Sequence, residues 1–186
     1  MRVIGGEARG AHLKGPPDKG TRATADKVRE AMFNVLATYT EGARVLDLFS
    51  GTGALGIEAL SRGALACDFV ERHPALCAVI RENLAHTRLA ERGRVIQASV
   101  HQVLSTLTGP YDLILADPPY MDADGPGLVG SPALHRLLAP DGIVMLEHSP
   151  RVAISGHVGR LRFVRTRGYG DSAVSFWQQR EEGDEE

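Results

Sequence analysis

The chain has 186 residues, of which 43% are hydrophobic and 24% are charged, as is usual for one globular domain with a buried core. No apolar run reaches the roughly 20 residues of a transmembrane helix, and the first ten residues lack the apolar stretch of a secretory signal. The two cysteines and the scattered histidines predict neither a disulfide framework nor a metal site. We therefore expect a cytoplasmic protein with no bound metal and no membrane partner.

The net charge of −2 hides an uneven distribution. Residues 1–30 contain seven Lys or Arg against four acids, and residues 151–167 contain five arginines and no acid. Five acids lie within the last six residues, EEGDEE. Such a run is typical of a solvated tail, so we expect residues 181–186 to be disordered. The basic segments suit an anionic partner, although dispersed surface charge would also explain them.

The middle of the sequence predicts strands and helices in alternation. The strands are ARVLDLF, ACDFVE, RVIQA, YDLILA and GIVMLE, and the helices between them are ALGIEALSRG, PALCAVIRENLAH, HQVLSTL and SPALHRLLAP. This order indicates an α/β, Rossmann-like fold with a mostly parallel sheet, whose ligands bind beyond the carboxyl ends of the strands. Two C-terminal strands within LRFVRTRGYGDSAVSFWQQ would add an antiparallel edge pair and bring the sheet to seven strands.

The N-terminal part does not follow this alternation. Residues 1–23, rich in glycine and basic residues, suggest an arm or hairpin that precedes one domain over residues 24–180. The stretch TADKVREAMFNVLATY predicts an amphipathic helix with Thr24 as its N-cap. Its apolar face would consist of Val28, Met32, Val35 and Leu36.

A glycine-rich loop follows the first predicted strand and opens the next helix. Gly51, Gly53 and Gly56 spell G-x-G-x-x-G, and Glu71 ends the next strand, where a ribose-binding carboxylate belongs. Asp47, inside the end of the first strand, suits a cationic amino-acid group better than a pyrophosphate. Asp-x-Phe-x-Gly-x-Gly resembles the first motif of class I methyltransferases, which implies S-adenosylmethionine as the donor and S-adenosylhomocysteine as the product. A nicotinamide site and a purely structural glycine turn remain alternatives.

The fourth strand of the alternating region ends in Asp117-Pro118-Pro119-Tyr120. The Asp117 carboxylate and the Pro118 carbonyl could accept the two hydrogens of an exocyclic amine, so that its lone pair develops toward a methyl group. The prolines fix φ and offer no N–H that would repel the amine, and Tyr120 could stack on the base. The tetrapeptide resembles the [DN]-P-P-[YFW] motif of amino-group methyltransferases; an ordinary strand-end turn is the alternative.

Nearly the whole chain resembles the RsmD family. The resemblance rests on RVIGGEARGAHLKGP, TRATADKVREAMFNVL, DLFSGTGALGIEALSRGA, DPPY and VMLEHS. The family consists of 16S rRNA guanine-N2-methyltransferases, which implies methylation of guanine 966 and binding to 16S rRNA in a 30S subunit or assembly intermediate. We expect the protein to be a monomer.

The resemblance also implies a set of site residues. The donor site would comprise Asp47, Phe49, Gly51, Gly53, Glu71, Arg72, Ser99 and Asp117. The catalytic residues would be Asp117, Pro118 and Tyr120. RNA would contact Arg2, Arg9, Lys14, Arg22, Thr24, Pro119 and Tyr120, and the arginines at 160–167 could extend that surface. Ser99 departs from the Asp or Asn often found after the third strand, so adenine contacts there could depend on backbone groups.

Three other functions are compatible with parts of the sequence. A DNA adenine-N6 or cytosine-N4 methyltransferase would share every catalytic residue, but it usually needs a recognition domain, for which 186 residues leave no room. An NAD-dependent oxidoreductase would explain the glycine loop alone. A catalytically silent RNA-binding module would leave the Asp-Pro-Pro-Tyr motif unexplained. The roles of Glu147 and the acidic tail stay open.

Overall fold

The computed structural model describes residues 1–16, 26–119, 125–152, 154 and 156–179. The strands are β1 (Arg44–Leu48), β2 (Ala66–Glu71), β3 (Gly93–Gln97), β4 (Tyr111–Ala116), β5 (Leu138–His148), β6 (Leu161–Tyr169) and β7 (Ser172–Gln179). The α-helices are α1 (Asp26–Val35), α2 (Ala37–Thr40), α3 (Ala54–Ser61), α4 (Pro74–His86), α5 (Val100–Leu104), α6 (Gly125–Val129) and α7 (Pro132–Leu137), and a 3₁₀ turn spans Ala90–Arg92.

The seven strands form one sheet in the order β3-β2-β1-β4-β5-β7-β6. Strands β1 to β5 pair in parallel, and β7 pairs antiparallel with both β5 and β6. This arrangement confirms the expected seven-stranded, mostly parallel α/β fold with an antiparallel C-terminal pair. Within the described ranges, no helix is long and apolar enough to cross a membrane.

Apolar side chains cover both faces of the sheet, because parallel strands are buried on both sides. One face packs against α1, α3 and α4 through residues such as Phe33, Leu60 and Phe69. The other face packs against α5, α6 and α7, with Trp177 and Leu134 in its core. Trp177 is therefore a packing residue, as its place in an alternating strand suggests.

Several element boundaries differ from the prediction, and two of the differences have a clear physical cause. The predicted helix over residues 24–39 is divided at Leu36, whose backbone carbonyl accepts a hydrogen bond from the Thr40 hydroxyl (2.8 Å). Met32 and Leu36 are buried as expected, Val28 and Val35 are half-buried and pack against the same core, and Arg29 is buried as well. The helix predicted over residues 131–140 ends at Leu137, because Leu138 already pairs with Tyr111 of β4. The expected N-cap, Thr24, lies outside the described residues.

The first residues form a hairpin that packs against the domain. Val3 donates to the Ala11 carbonyl and Gly10 donates to the Val3 carbonyl, both at 2.9 Å, and the Val3 and Leu13 side chains are buried. The backbone N–H groups of residues 4 and 5 donate to the carboxylate of Glu58 on α3, each at 2.8 Å. These N–H groups stabilise a buried carboxylate, so the hairpin packs as part of the domain core. We refer to residues 1–14 as the docked hairpin.

Candidate functional site

The site lies where the chain reverses its direction across the sheet. From β1 the chain proceeds to β2 and β3 on one side, and β4 then returns to pair with the other side of β1. Such a reversal opens a crevice beyond the carboxyl ends of the two central strands. Leu48 pairs with both Val70 and Ala116, so the residues that follow β1, β2 and β4 meet at one level of this edge.

Three predicted carboxylates share one face of the sheet at this edge. Asp47 pairs with Phe69 on β2 and with Leu115 on β4. Glu71 and Asp117 follow those partners by two residues, and side chains two residues apart point to the same face of a strand. The register therefore brings Asp47, Glu71 and Asp117 together.

The glycine loop needs unusual backbone angles. Phe49, Gly51 and Gly53 have φ values of 58°, 56° and 81°. A Cβ added at Gly51 would meet only the Phe49 carbonyl oxygen, at 4.0 Å, so the backbone there can closely approach a ligand. A Cβ at Gly56 would lie 2.3 Å from Phe69, which makes the third glycine a packing residue between α3 and β2.

Backbone N–H groups hold the carboxylates of Glu71 and Asp47 in place. Glu71, which is 6% exposed, accepts from the Gly51 N–H at 2.9 Å and from the His73 N–H at 2.8 Å, one on each oxygen. Asp47, 1% exposed, accepts from the Gly56 N–H at 3.0 Å. Each carboxylate oxygen has two lone pairs, so Glu71 keeps acceptor capacity for two ribose hydroxyls.

Burial raises the pKa of Asp47 from 3.8 to about 8. The Gly56 N–H partly offsets this rise because it stabilises the charged form, whereas the negative charges of Asp117 and Glu71 add to it. At neutral pH the Asp47 carboxyl is therefore mostly protonated, and a cationic ligand group beside it would favour ionisation. The repulsion also shows that the three carboxylates lie close enough to interact.

Residues 117–119 follow β4 directly, and we refer to them as the acceptor corner. Asp117 is half-buried, Pro118 is buried and Pro119 is exposed. Tyr120 lies outside the described residues, so its expected place on a base stays a prediction. The two prolines lack backbone N–H groups and restrict φ, so the chain around Asp117 has little conformational freedom.

Ser99 and Arg72 follow the two strands that lie on one side of β1. Ser99 is half-buried and caps α5: its Oγ accepts from the Gln102 N–H at 3.4 Å and donates to the Gln102 side chain at 2.8 Å. Arg72 follows Glu71, is exposed, and its Nε donates to His73 Nε2 at 3.1 Å. Both residues follow neighbouring strands at the carboxyl edge, β3 and β2.

The predicted RNA-binding residues of the docked hairpin lie on its exposed surface. Arg2 forms an ion pair with Asp26 (3.4 Å), and Lys14 forms one with Glu82 (2.6 Å). Arg9 is exposed. Arg22 and Thr24 lie outside the described residues, and their expected closure over the site stays a prediction.

Sequence reasoning missed a connection between the docked hairpin and the glycine loop. Asn83 on α4 is 2% exposed, and its amide group donates to the Thr52 carbonyl at 3.0 Å and to the Lys14 carbonyl at 3.1 Å. Its side-chain oxygen accepts from the Lys14 N–H at 2.7 Å. The sequence shows only an asparagine within a predicted helix, which indicates neither its burial nor its partners.

These residues fit an adenosyl donor better than a metal ion. The open backbone at Gly51, the ribose-facing capacity of Glu71 and the carboxyl of Asp47 match a nucleoside with a cationic tail. Among the described residues, no group of three or more His, Cys, Asp or Glu is placed to hold a metal ion.

Comparison with known proteins identifies relatives over nearly the full chain. A family model described as Conserved hypothetical protein 95 matches residues 1–178. YlbH of Bacillus subtilis, which carries the name of an rRNA methyltransferase, is 36% identical over 97% of this chain and 100% of that protein. Ribosomal RNA small subunit methyltransferase D of Escherichia coli is 40% identical over 120 residues, which are 64% of this chain and 60% of that protein.

Solved structures share the same fold. The structure of yhhF from Escherichia coli, described as a methyltransferase, has a TM-score of 0.85 and 31% identity, over 97% of this chain and 98% of that one. An RNA methyltransferase from Salinibacter ruber in complex with S-adenosyl-L-homocysteine has a TM-score of 0.66 at 22% identity, over 89% of this chain and 98% of that one. The fold is that of class I methyltransferases.

Proposed function

Because the chain belongs to the family described as Conserved hypothetical protein 95, the RsmD family, we propose that it transfers a methyl group from S-adenosylmethionine to guanine N2 in 16S rRNA. Family and fold identify it as a methyltransferase. The donor, the guanine and its position, 966, are the proposed refinements. The convergence of Asp47, Glu71 and Asp117 at one strand edge supports a donor site that opens onto the Asp117 corner. The guanine and its position are taken from the resemblance to the RsmD family.

The donor side would hold the nucleoside by its ribose and its amino-acid tail. Glu71 would accept both ribose hydroxyls, since the Gly51 and His73 N–H groups already fix its orientation. Asp47 would pair with the ammonium group, which would lower the pKa of this carboxyl from about 8. Phe49, Gly51 and Gly53 would border the ligand, with Ser99 near the adenine and Arg72 at the rim. Once bound, the donor supplies a methyl group on an electrophilic sulfonium.

The acceptor corner would position the guanine amine. The Asp117 carboxylate and the Pro118 carbonyl would accept one amine hydrogen each, which directs the nitrogen lone pair toward the donor side. After transfer, Asp117 can take the proton that the amine releases. Tyr120 and Pro119 would contact the base. This arrangement requires no strong base before transfer, because positioning does most of the catalysis.

RNA as the substrate is supported by the names of the relatives, two of which carry the names of rRNA methyltransferases. A guanine in folded RNA must be presented from a loop or flipped out of a helix to reach such a corner. Arg9, Arg2 and Lys14 on the docked hairpin, with Arg22 and Thr24 after it, would contact the surrounding RNA. We further propose a monomer that acts on a 30S subunit or an assembly intermediate.

A methyl-transfer assay distinguishes this function from its rivals. Tritiated S-adenosylmethionine would be incubated with the protein and with 30S subunits that lack the modification, naked 16S rRNA or duplex DNA, followed by nucleoside mass spectrometry. We expect N2-methylguanosine in the ribosomal substrates. N6-methyladenosine, N4-methylcytosine or equal labelling of duplex DNA would refute the proposal. Calorimetric binding of NADH in place of S-adenosylhomocysteine would favour an oxidoreductase.

A further inference from the structure

The sheet register places two exposed arginines of the edge strand in line with the acceptor corner. Extending the β4–β5 register by one residue beyond the Ala116–Leu146 pair aligns Asp117 with Glu147. Glu147 pairs with Val174, and Val174 pairs with Arg167. Paired residues point to the same face, so Arg167 shares the face of Asp117. Three strand spacings of about 4.8 Å separate them by roughly 14 Å.

Arg165 lies on the same face, two residues before Arg167 on β6. It pairs with Phe176, which pairs with Met145, and Met145 pairs with Leu115. Tyr169, two residues beyond Arg167 and half-buried, continues this face toward the carboxyl edge where β4 ends. We call Arg165, Arg167 and Tyr169 the β6 stripe.

The charges of the β6 stripe are less compensated than those of the docked hairpin. Arg2 and Lys14 of the hairpin are each paired with an acid. In the part of the chain that the structure describes, neither Arg165 nor Arg167 forms an ion pair, and both are exposed. The sequence from 151 to 167 contains no acid that could neutralise them locally.

We propose that the β6 stripe binds phosphates of the RNA strand next to the target nucleotide, an inference that rests on the proposed function. An arginine guanidinium presents paired N–H donors that match two phosphate oxygens, and an adjacent aromatic ring can stack on a base. An RNA strand that presents its base at the Asp117 corner would pass Arg167 with a flanking phosphate. The stripe would orient the strand, whereas the acceptor corner selects the amine.

A different explanation is that charge on β6 only prevents edge-to-edge pairing of sheets, since edge strands commonly carry charged residues. That role needs polarity on the strand but no alignment with the site. It also predicts no change in RNA affinity when arginine is replaced by glutamine. The two explanations therefore differ in a measurable quantity.

The test compares the double variant R165Q/R167Q with R88Q/R94Q. The control removes the same charge from two other exposed arginines. Arg94 lies in β3, the strand at the opposite edge of the sheet, and Arg88 precedes that strand. Fluorescence anisotropy would measure the Kd for 16S rRNA transcribed in vitro, from 50 to 200 mM salt, and calorimetry would measure the Kd for S-adenosylhomocysteine. We expect the RNA Kd of the β6 variant to rise about tenfold or more. The slope of log K against log salt is negative, and its magnitude should decrease by about 1.4, which is about 0.7 for each lost phosphate contact.

The control variant and the S-adenosylhomocysteine affinity should stay within twofold of wild type. An RNA Kd and salt slope equal to those of the control would overturn the inference. Should R165Q/R167Q fail to fold, R165K/R167K and hydrogen exchange on the wild type decide. RNA must then slow exchange over residues 161–169, and absent protection overturns the stripe. Methyl transfer is measured separately, so wild-type RNA binding without N2-methylguanosine would refute the proposed function and leave the stripe standing.

Discussion

The two halves of the site fix their oxygen atoms in different ways. On the donor side, at the ends of β1 and β2, buried carboxylates accept backbone N–H groups: Asp47 from Gly56, and Glu71 from Gly51 and His73. On the acceptor side, at the end of β4, Asp117 is half-buried and the next two residues are prolines. Hydrogen bonds thus hold the groups that we propose to bind the methyl donor, and restricted backbone angles hold the groups that we propose to position the amine. Substitutions on the two sides should consequently affect different kinetic constants.

The largest effect is expected on the acceptor side. Replacing Asp117 with alanine should lower kcat by about 10²- to 10³-fold, because one of two amine acceptors is lost, while the Kd for S-adenosylhomocysteine changes little. Tritium transfer to 30S subunits and calorimetry measure the two quantities. Asp141→Asn is a suitable control, since this exposed residue lies at the far end of β5. Full activity of Asp117→Ala would show that the amine is positioned by other groups.

A substitution on the donor side should weaken donor affinity and leave kcat unchanged. Glu71→Gln should raise the Kd for S-adenosylhomocysteine about tenfold or more, because an amide offers a weaker, single acceptor to the ribose hydroxyls. At saturating donor, kcat should stay near wild type. Glu82→Gln, an exposed acid paired with Lys14, removes the same charge away from the site. A fall in kcat with unchanged donor affinity would make the comparison between the two sides untenable.

A third expectation concerns pH. Asp47 has a pKa of about 8 in the folded chain against 3.8 for an ordinary aspartate. A raised pKa means that its contribution to stability is complete below pH 3.8 and is lost as pH rises to about 8. Asp47→Asn removes this loss, so its melting temperature should exceed that of wild type by more at pH 9 than at pH 5. We expect a difference of at least about 2 °C from thermal unfolding at the two pH values. A melting-temperature difference that does not vary with pH would contradict the raised pKa.

The smallest effect is expected at the contact between the docked hairpin and the glycine loop. Asn83→Ala removes the donations to Thr52 and Lys14, and should raise the donor Kd about threefold to tenfold through a less ordered loop. Asn34→Ala, on the exposed surface of α1, serves as the matched control. Identical donor affinities for the two variants in calorimetry would mean that the hairpin does not support the donor side.

The sequence predicted the alternating core, and it predicted that the proposed site residues meet at one edge, because each motif ends a strand and parallel strands share one carboxyl edge. The hydrophobic pattern of the first helix was less informative. It predicted the apolar face with Val28 and Val35, which pack against the core, but not the burial of Arg29 beside Glu58, whose carboxylate lies 3.7 Å from the Arg29 Nε. Periodicity records apolar side chains and contains no information on a charge pair whose partners are 29 residues apart. For the same reason, the docking of the hairpin on Glu58 could not be predicted.

The most direct test of the central claim is a crystal structure with S-adenosylhomocysteine bound. We expect the ribose hydroxyls on Glu71, the amino-acid tail beside Asp47 and the sulfur facing the Asp117–Pro118 corner without intervening protein. A ligand bound away from Gly51, or a sulfur that the sheet separates from Asp117, would contradict the assignment of the two halves to one reaction.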